Sequence, residues 1–513
     1  MLIDARTLPQ GSVLDTDLAI VGAGPAGITL ARALASARRE ICLIESGGLA
    51  YDADTQALYQ GENAGIEYPL AGSRLRFLGG SSNHWGGYCR PLDPIDFEGR
   101  DWVPHSGWPF QRRELDPYYG PASGLVEVGV PAFENPTYWE AKTGEAIPPP
   151  ATGRLLTRFF QFSPPTRFGE RYRRDLEEMR GLRLLLNANV TRIGAIGEGR
   201  AVDALDLRTL GGRALRVRAR CYVLAAGGLE NPRLMLASND VVKPGLGNEC
   251  GLVGRFFMEH PHLDGFGEIV VADLRRLPEI LRRRVVADGV PAQATFRPSA
   301  EHLRRRRLLN AGFMIGLAAH HRQGKDTHLT PERSAAHVDM LRAARRFLAD
   351  GAGPLDPSDP SYSGAWFGIG CACEQAPNPD SRVTLADDRD PLGMAKLRLD
   401  WRLTETDRRS AVANIRALAM EFGTLGAGRM IMNVEDDGRW PEVVRGGNHH
   451  LGTTRMSDDP RQGVVDRNGR VHGMDNLYVA GSSVFPTAGA ANPTLTILAL
   501  TLRLADHLRE RLG

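Results

Sequence analysis

Cysteine is scarce in this chain. Its 513 residues hold six, Cys42, Cys89, Cys221, Cys250, Cys371 and Cys373, and only the last two are close, as C-x-C. No metal-spaced cluster forms, so no metal site is expected. Several of the six sit in apolar strand-like runs, which predicts reduced thiols in a cytoplasmic protein. Long hydrophobic runs are missing as well. No stretch approaches the ~18 consecutive apolar residues of a membrane span. The opening residues, MLIDARTLPQGSVLD, lack the apolar centre of a signal peptide. Charge of one sign is also missing. The formal net charge is +2, which gives no case for nucleic acid as a partner. Internal repeats and low-complexity linkers are absent.

What the chain has is length and an ordinary balance, with 42% hydrophobic and 24% charged residues, as in a globular protein. It is too long for one ordinary core, which predicts two intimately joined domains.

Residues 16–46 carry the first motif. Leu18-Ala19-Ile20-Val21 reads as a buried strand, and Gly22-Ala23-Gly24-Pro25-Ala26-Gly27 as a G-x-G-x-x-G turn. Residues 28–37 continue as a helix, and Ile41-Cys42-Leu43-Ile44 is a second strand ending in Glu45. Gly22, Gly24 and Gly27 let the chain turn tightly and bring backbone N–H groups against a pyrophosphate at the helix start. Glu45 can take both ribose hydroxyls of an adenosine, and a carboxylate there repels a 2′-phosphate, which disfavours NADP. The pattern predicts a dinucleotide without choosing between FAD and NAD.

Residues 72–90, GSRLRFLGGSSNHWGGYCR, hold too many Gly and Ser for a core strand and too many aromatics for a linker. Gly79-Gly80-Ser81-Ser82 offers backbone donors to phosphate or flavin, and Gly86-Gly87 allows close approach to a ring. Further along, residues 182–186 read as a strand, 204–207 and 214–217 as hairpin strands, and 221–224 as a separate buried strand. Residues 229–237 open the next helix.

Near the C-terminus, Leu477-Tyr478-Val479 is a short apolar run broken by Gly481-Ser482-Ser483. Asn492-Pro493-Thr494 reads as a helix start, with Asn at the cap and Pro at the first helical position. Leu495, Leu498, Ala499, Leu502 and Ala505 fall at helical spacing and give that helix an apolar face. Its N–H groups and positive dipole would stabilise a negative charge set against it. A reduced flavin carries such a charge on its N1–C2=O2 edge.

The chain here resembles a family. His449-His450-Leu451-Gly452-Thr453, Gly463-Val464-Val465-Asp466 and Arg470-Val471-His472-Gly473 come first. Asn476-Leu477-Tyr478-Val479, Ser483-Val484-Phe485-Pro486-Thr487 and Asn492-Pro493-Thr494-Leu495-Thr496 follow. Together they closely resemble the C-terminal signature of the glucose–methanol–choline (GMC) flavoprotein oxidoreductases. Residues 72–90 and 253–261 look most like the branch with the pyranose oxidases and the bacterial sugar and glycoside oxidoreductases. The resemblance implies FAD, held by Gly22, Gly24, Gly27, Glu45, Gly80, Asn83, His84, Gly86, Val190, Ala226, Gly481, Pro493 and Thr494. It also implies a catalytic pair. His449, three residues before the Gly of the G-T pair, is the base. Asn492 takes the second position, although its amide has the competing role of capping the helix. His450 is then a packing or hydrogen-bonding neighbour. In the fungal pyranose oxidases a His followed by Trp is bonded to the flavin. His84-Trp85 stands at the matching place, with Asn83 before it instead of Thr. Two readings follow for His84, a covalent tether or a ring packed beside non-covalent FAD, and we favour the second. His260 is read as part of a hinge between domains, and His105 as a surface residue.

The fold class expected is α/β, a Rossmann-like FAD-binding domain with an α+β substrate domain built on an antiparallel sheet. The first domain is discontinuous, over residues 1–100, 181–265 and 448–513, and the second covers 101–180 and 266–447. Strands at 267–271, 366–370, 382–385 and 396–401 are assigned to that antiparallel sheet. The helix at 404–422 is capped by Thr404 or Thr406. The Arg-rich insert 273–350 is read as solvated amphipathic helices rather than as a docking face for an acidic partner or a membrane. The activity implied is oxidation of an alcohol on a sugar, glycoside or polyol. His449 takes the hydroxyl proton, Asn492 steadies the alkoxide, and a hydride passes to flavin N5. Oxygen, a quinone or a redox protein then takes the electrons. Three alternatives remain: a non-redox flavoprotein such as a lyase, a GMC enzyme for a non-sugar alcohol, and a NAD-linked dehydrogenase.

Overall fold

The most continuously apolar segments form the centre of the first sheet. The computed structural model describes residues 1–36, 39–263, 266–271, 277–317, 366–426, 428–432, 434, 440 and 444–513. Strands Val13–Val21 and Ile41–Ile44 are parallel neighbours, in register from Leu18 with Ile41 to Val21 with Ile44. The order across the sheet is Leu2–Asp4, Leu182–Leu186, Ile41–Ile44, Val13–Val21, Ala214–Leu224, Ala201–Arg208 and Asn189–Ile196. Leu477–Val479 also pairs with Ala214–Leu224. All pairings from Leu2–Asp4 to Ala214–Leu224, and that of Leu477–Val479, are parallel. Parallel strands are covered on both faces and so read as unbroken apolar runs. Leu18, Ala19, Ile20, Ile41, Cys42 and Leu43 accordingly have no exposed surface. Helix Pro25–Leu34 makes the crossover between the first two strands.

Ala214–Leu224 is one strand where the periodicity predicts two. Its first part pairs antiparallel with Ala201–Arg208, while most of its length pairs parallel with Val13–Val21. Leu215 and Val217 are buried between exposed Arg216 and Arg218, and then Cys221 to Leu224 are all buried. The pattern changes because one face of the strand emerges from cover, not because the strand ends.

The second sheet runs Gly428–Met432, Gly267–Val271, Trp366–Cys373, Ala311–Leu317, Val290–Pro298, Leu155–Phe162 and Tyr88–Cys89. These neighbours are antiparallel. Helix Glu405–Thr424 covers it, with Ile415, Leu418 and Phe422 packed among Phe296 and Phe313. Thr404 caps that helix, and Asp407 completes a capping box.

Two expectations are corrected here. Arg382–Arg389 and Ala395–Asp400 do not join this sheet. They form a third one with Gly61–Asn63, because Val383, Leu397 and Leu399 bury against Tyr68, Phe257 and Trp401. The described part of the Arg-rich insert is mainly strands, Val285–Ala287, Val290–Pro298 and Ala311–Leu317, with short helices Glu279–Arg282 and Ala300–Arg306. Arg304 and Arg307 there pair with Glu98 and Asp101. Residues 318–350 of that insert lie outside the described residues. Among the described residues no helix is long and apolar enough to cross a membrane. Nor do they contain a group of His, Cys, Asp and Glu that could hold a metal.

Candidate active site

The first glycine-rich turn has three glycines with three different surroundings. Gly22 has φ +101°, and a Cβ there would lie 2.7 Å from Ala225 O. A Cβ on Gly27 would lie 1.9 Å from Gly22 O, so the helix can pack on its strand only without a side chain. Gly24 differs, since an added Cβ would meet nothing within 4 Å. Its backbone borders the open space in which a pyrophosphate would sit against the start of helix Pro25–Leu34. The residues present therefore fit a dinucleotide.

A cavity of about 620 Å³ begins at this turn and reaches the final helix. Gly22, Gly24, Glu45, Gly80, His84, Gly86, Val190, Ala226, Gly481, Pro493 and Thr494 line it, as do His449 and Asn492. Gly27 and Asn83 are not on its wall. Gly27 serves the helix–strand contact. Asn83 donates from Nδ2 to the carbonyls of Leu78 and Gly80, both at 3.0 Å, and so braces the second glycine-rich turn. Gly79 N–H donates to Ala23 O at 2.9 Å and ties the two turns together. Glu45 is held in place by Ala23 N–H at 3.0 Å, Gly47 N–H at 2.9 Å and the Ser46 hydroxyl at 3.1 Å. His84 is exposed, and desolvation together with nearby Arg167 lowers its pKa. His105 is exposed, away from this wall, with its ring edge-on to Phe256.

At the other end the final helix starts one residue later than its sequence predicts. It spans Thr494–Leu512, with Pro493 at the cap and no side-chain cap bond. Pro493 O accepts the first helical bond, from Ile497 N–H at 2.8 Å, which makes Pro493 the capping residue. Asn492 is thereby relieved of capping. Its Nδ2 lies 3.2 Å from His449 Nε2.

The other ring nitrogen of His449, Nδ1, lies 2.8 Å from His260 Nδ1, and His260 Nε2 lies 3.2 Å from Ala488 O. His260 thus touches the expected base, which the hinge reading did not foresee. Its neighbour Glu259 is fully buried and accepts from His449 N–H at 2.7 Å, Gly447 N–H at 2.9 Å and His260 N–H at 2.8 Å. The Tyr68 hydroxyl also donates to it. Burial pushes the Glu259 carboxyl up to about 7, against the pull of these four donors. One residue grips the backbone of the His449 loop and the next grips its ring. An acidic residue and a His before a Pro, Glu259-His260-Pro261, was the available sequence signal.

The imidazoles here are kept neutral. Desolvation, then the fields of His260, His262 and His450, hold His449 well below the usual histidine range. Desolvation brings His260 down to about 4. Desolvation and then Arg74 bring His450 to about 3. His450 points elsewhere, with Nε2 3.1 Å from Ser73 Oγ and its ring edge-on to Tyr68. The cavity end thus presents the neutral imidazole of His449, the Asn492 amide and a helix N-terminus, with His262 and His450 also on its wall.

Known proteins resemble this chain along most of its length. The model of the FAD dependent oxidoreductases matches residues 17–374, and that of the C-terminal GMC oxidoreductase domain matches residues 377–501. The 2-methyl-1,2-propanediol dehydrogenase of Mycolicibacterium austroafricanum is 25% identical over 97% of this chain and 95% of its own. Paromamine 6'-oxidase of Streptomyces fradiae is 26% identical over 95% of this chain and 90% of its own. A C-glycoside 3-oxidase of Microbacterium trichothecenolyticum is 28% identical over 63% and 53%. Among solved structures, a fungal aryl-alcohol oxidase superposes with a TM-score of 0.58 at 17% identity, covering 97% of this chain and 99% of its own. Pyridoxine 4-oxidase from Mesorbium loti gives 0.57 at 19% identity, covering 96% and 99%. These two share the fold. With both family models matched in succession, the chain belongs to the GMC oxidoreductases, FAD-dependent enzymes that oxidise alcohols.

Proposed function

We propose that the alcohol oxidised is carried on a sugar, glycoside or related polyol, with His449 as the base and Asn492 as the hydrogen-bond donor. The observation that carries this reading is the 3.2 Å contact of Asn492 Nδ2 with His449 Nε2 on the cavity wall, beside the helix start at Thr494. A hydroxyl oxygen set between these two atoms donates to one and accepts from the other. His449 Nε2 takes the hydroxyl proton, a contribution worth typically ~10²–10⁴ in rate. Asn492 Nδ2 steadies the oxygen as its charge grows. FAD, when bound, supplies the ring that accepts a hydride from the adjoining carbon. Glu45, Gly22, Gly24 and Gly80 hold its adenosine and pyrophosphate, and His84 packs beside it without a bond.

The sugar lean draws support from the relatives named for paromamine and C-glycosides. A second reading, a small vicinal diol, draws support from the relative matched over 97% of the chain. Anaerobic mixing with a panel of pyranoses, glycosides and 1,2-diols decides between them. Bleaching of the flavin band by a sugar or glycoside is expected. Bleaching by small diols alone overturns the first reading in favour of the second, and no bleaching at all overturns both. Re-admitting oxygen, a quinone or a redox protein to the bleached enzyme then identifies the acceptor. Acid precipitation should leave all the yellow colour in the supernatant, whereas a tethered flavin stays with the pellet.

A further inference from the structure

A carbonyl oxygen only accepts hydrogen bonds. Ala488 O, 3.2 Å from His260 Nε2, therefore requires a proton on that nitrogen. A neutral His260 then carries its lone pair on Nδ1. That atom lies 2.8 Å from His449 Nδ1, a separation that needs one proton between the two. The proton belongs to His449 Nδ1, which leaves the lone pair of neutral His449 on Nε2. Asn492 Nδ2, a donor 3.2 Å away, closes the same order from the cavity side. Each nitrogen along Ala488, His260, His449 and Asn492 has one consistent role.

We propose that His260 is a positioning residue that fixes the Nδ1–H tautomer of His449, so that the basic nitrogen faces the cavity. This inference rests on the reading of His449 as the base. A free neutral imidazole prefers its proton on Nε2. In that form His449 would present N–H to the substrate and could not take a proton from it. His260 supplies an acceptor that reverses the preference. The step balances simply: the proton leaves the substrate oxygen for His449 Nε2, and the resulting imidazolium keeps its Nδ1–H on the His260 lone pair. Glu259 works on the same loop by another route. Its carboxylate holds the N–H groups of Gly447 and His449, so the ring meets His260 at a set distance.

The test uses FAD-loaded protein with ¹⁵N-labelled histidine rings, the His449 signals being assigned by their loss in His449→Asn. In the wild type, Nδ1 of His449 is expected to be protonated and Nε2 bare. His260→Leu should invert or mix that tautomer. His260→Asn, whose Oδ1 can stand where Nδ1 accepted, should preserve it. Flavin reduction by substrate should fall by roughly 10²–10⁴-fold in His260→Leu, the range spanned by losing a general base, with the upper end matching a triad histidine left in the wrong tautomer. His260→Asn should recover most of that loss, with substrate affinity little changed in either. A wild-type His449 protonated on Nε2 overturns the proposal, as does a tautomer indifferent to His260→Leu. Equal slowing in both variants marks a merely structural role and also overturns it. If His260→Leu does not fold, the wild-type spectrum still decides. If no sugar or diol bleaches the wild-type flavin, the function above fails while the tautomer is still read.

Discussion

Gly24 and Gly27 are three residues apart in one turn, yet the structure predicts opposite outcomes for the same added methyl. At Gly24 the backbone has φ −82° and ψ −172°, which any L-residue adopts, and the added Cβ meets nothing within 4 Å. Gly24→Ala should leave the apoprotein as stable as before or more stable by about 0.4–1 kcal/mol, because it narrows the unfolded ensemble. The methyl then stands in the space assigned to the pyrophosphate. Overpacking by a methyl costs about 1–3 kcal/mol, so FAD should bind roughly 5- to 150-fold more weakly. At Gly27 the Cβ would sit 1.9 Å from Gly22 O, a backbone atom with no room to give. Gly27→Ala should destabilise the apoprotein by more than about 3 kcal/mol. The assay is a pair of curves for each variant, thermal unfolding of the deflavinated protein by circular dichroism and FAD titration by flavin fluorescence. Wild-type FAD affinity in Gly24→Ala would refute the cradle. So would a loss of apoprotein stability there equal to that of Gly27→Ala.

His449→Ala should retain FAD and slow flavin reduction about 10²–10⁴-fold, checked by stopped-flow absorbance under anaerobic conditions. Asn492→Ala should slow it about 10²-fold or more while changing the melting temperature little, because that amide does not cap the final helix. A clear loss of stability with an unchanged rate would return Asn492 to a capping role. Acid should weaken the fold through His260. Its folded pKa near 4 lies below the ordinary 6.5, so between those values the unfolded chain binds the proton first. That stabilisation is present above pH 6.5 and is lost as pH falls towards 4, by up to about 3 kcal/mol. Urea unfolding at pH 7 and pH 5 should therefore show wild type losing more than His260→Asn.

The nucleotide-binding strands and turn were legible because their physics is local. Leu18 to Val21 are buried on both faces, and Gly22 is forced by its own φ. The third sheet was not legible. Gly61–Asn63 is exposed throughout, so no periodicity marks it, and its partner strand lies more than 300 residues away. The cap was misplaced because Asn-Pro-Thr satisfies two registers, and only the distant ring of His449 decides between them. His449 and Asn492 could be named from their spaced signature. Glu259-His260-Pro261 marks its own place in the chain, but its grip on His449 could not be read, since that contact spans 189 residues.

Helices Pro25–Leu34 and Thr494–Leu512 pack directly on each other, and their buried side chains share one apolar core. Each also points a positive end at the cavity, one beside Gly24 and one beside Asn492. On the function proposed above, nucleotide grip and electron affinity would therefore both depend on one greasy seam. Resizing Ala31 or Leu498 in that core should move the midpoint potential and the dissociation constant in concert.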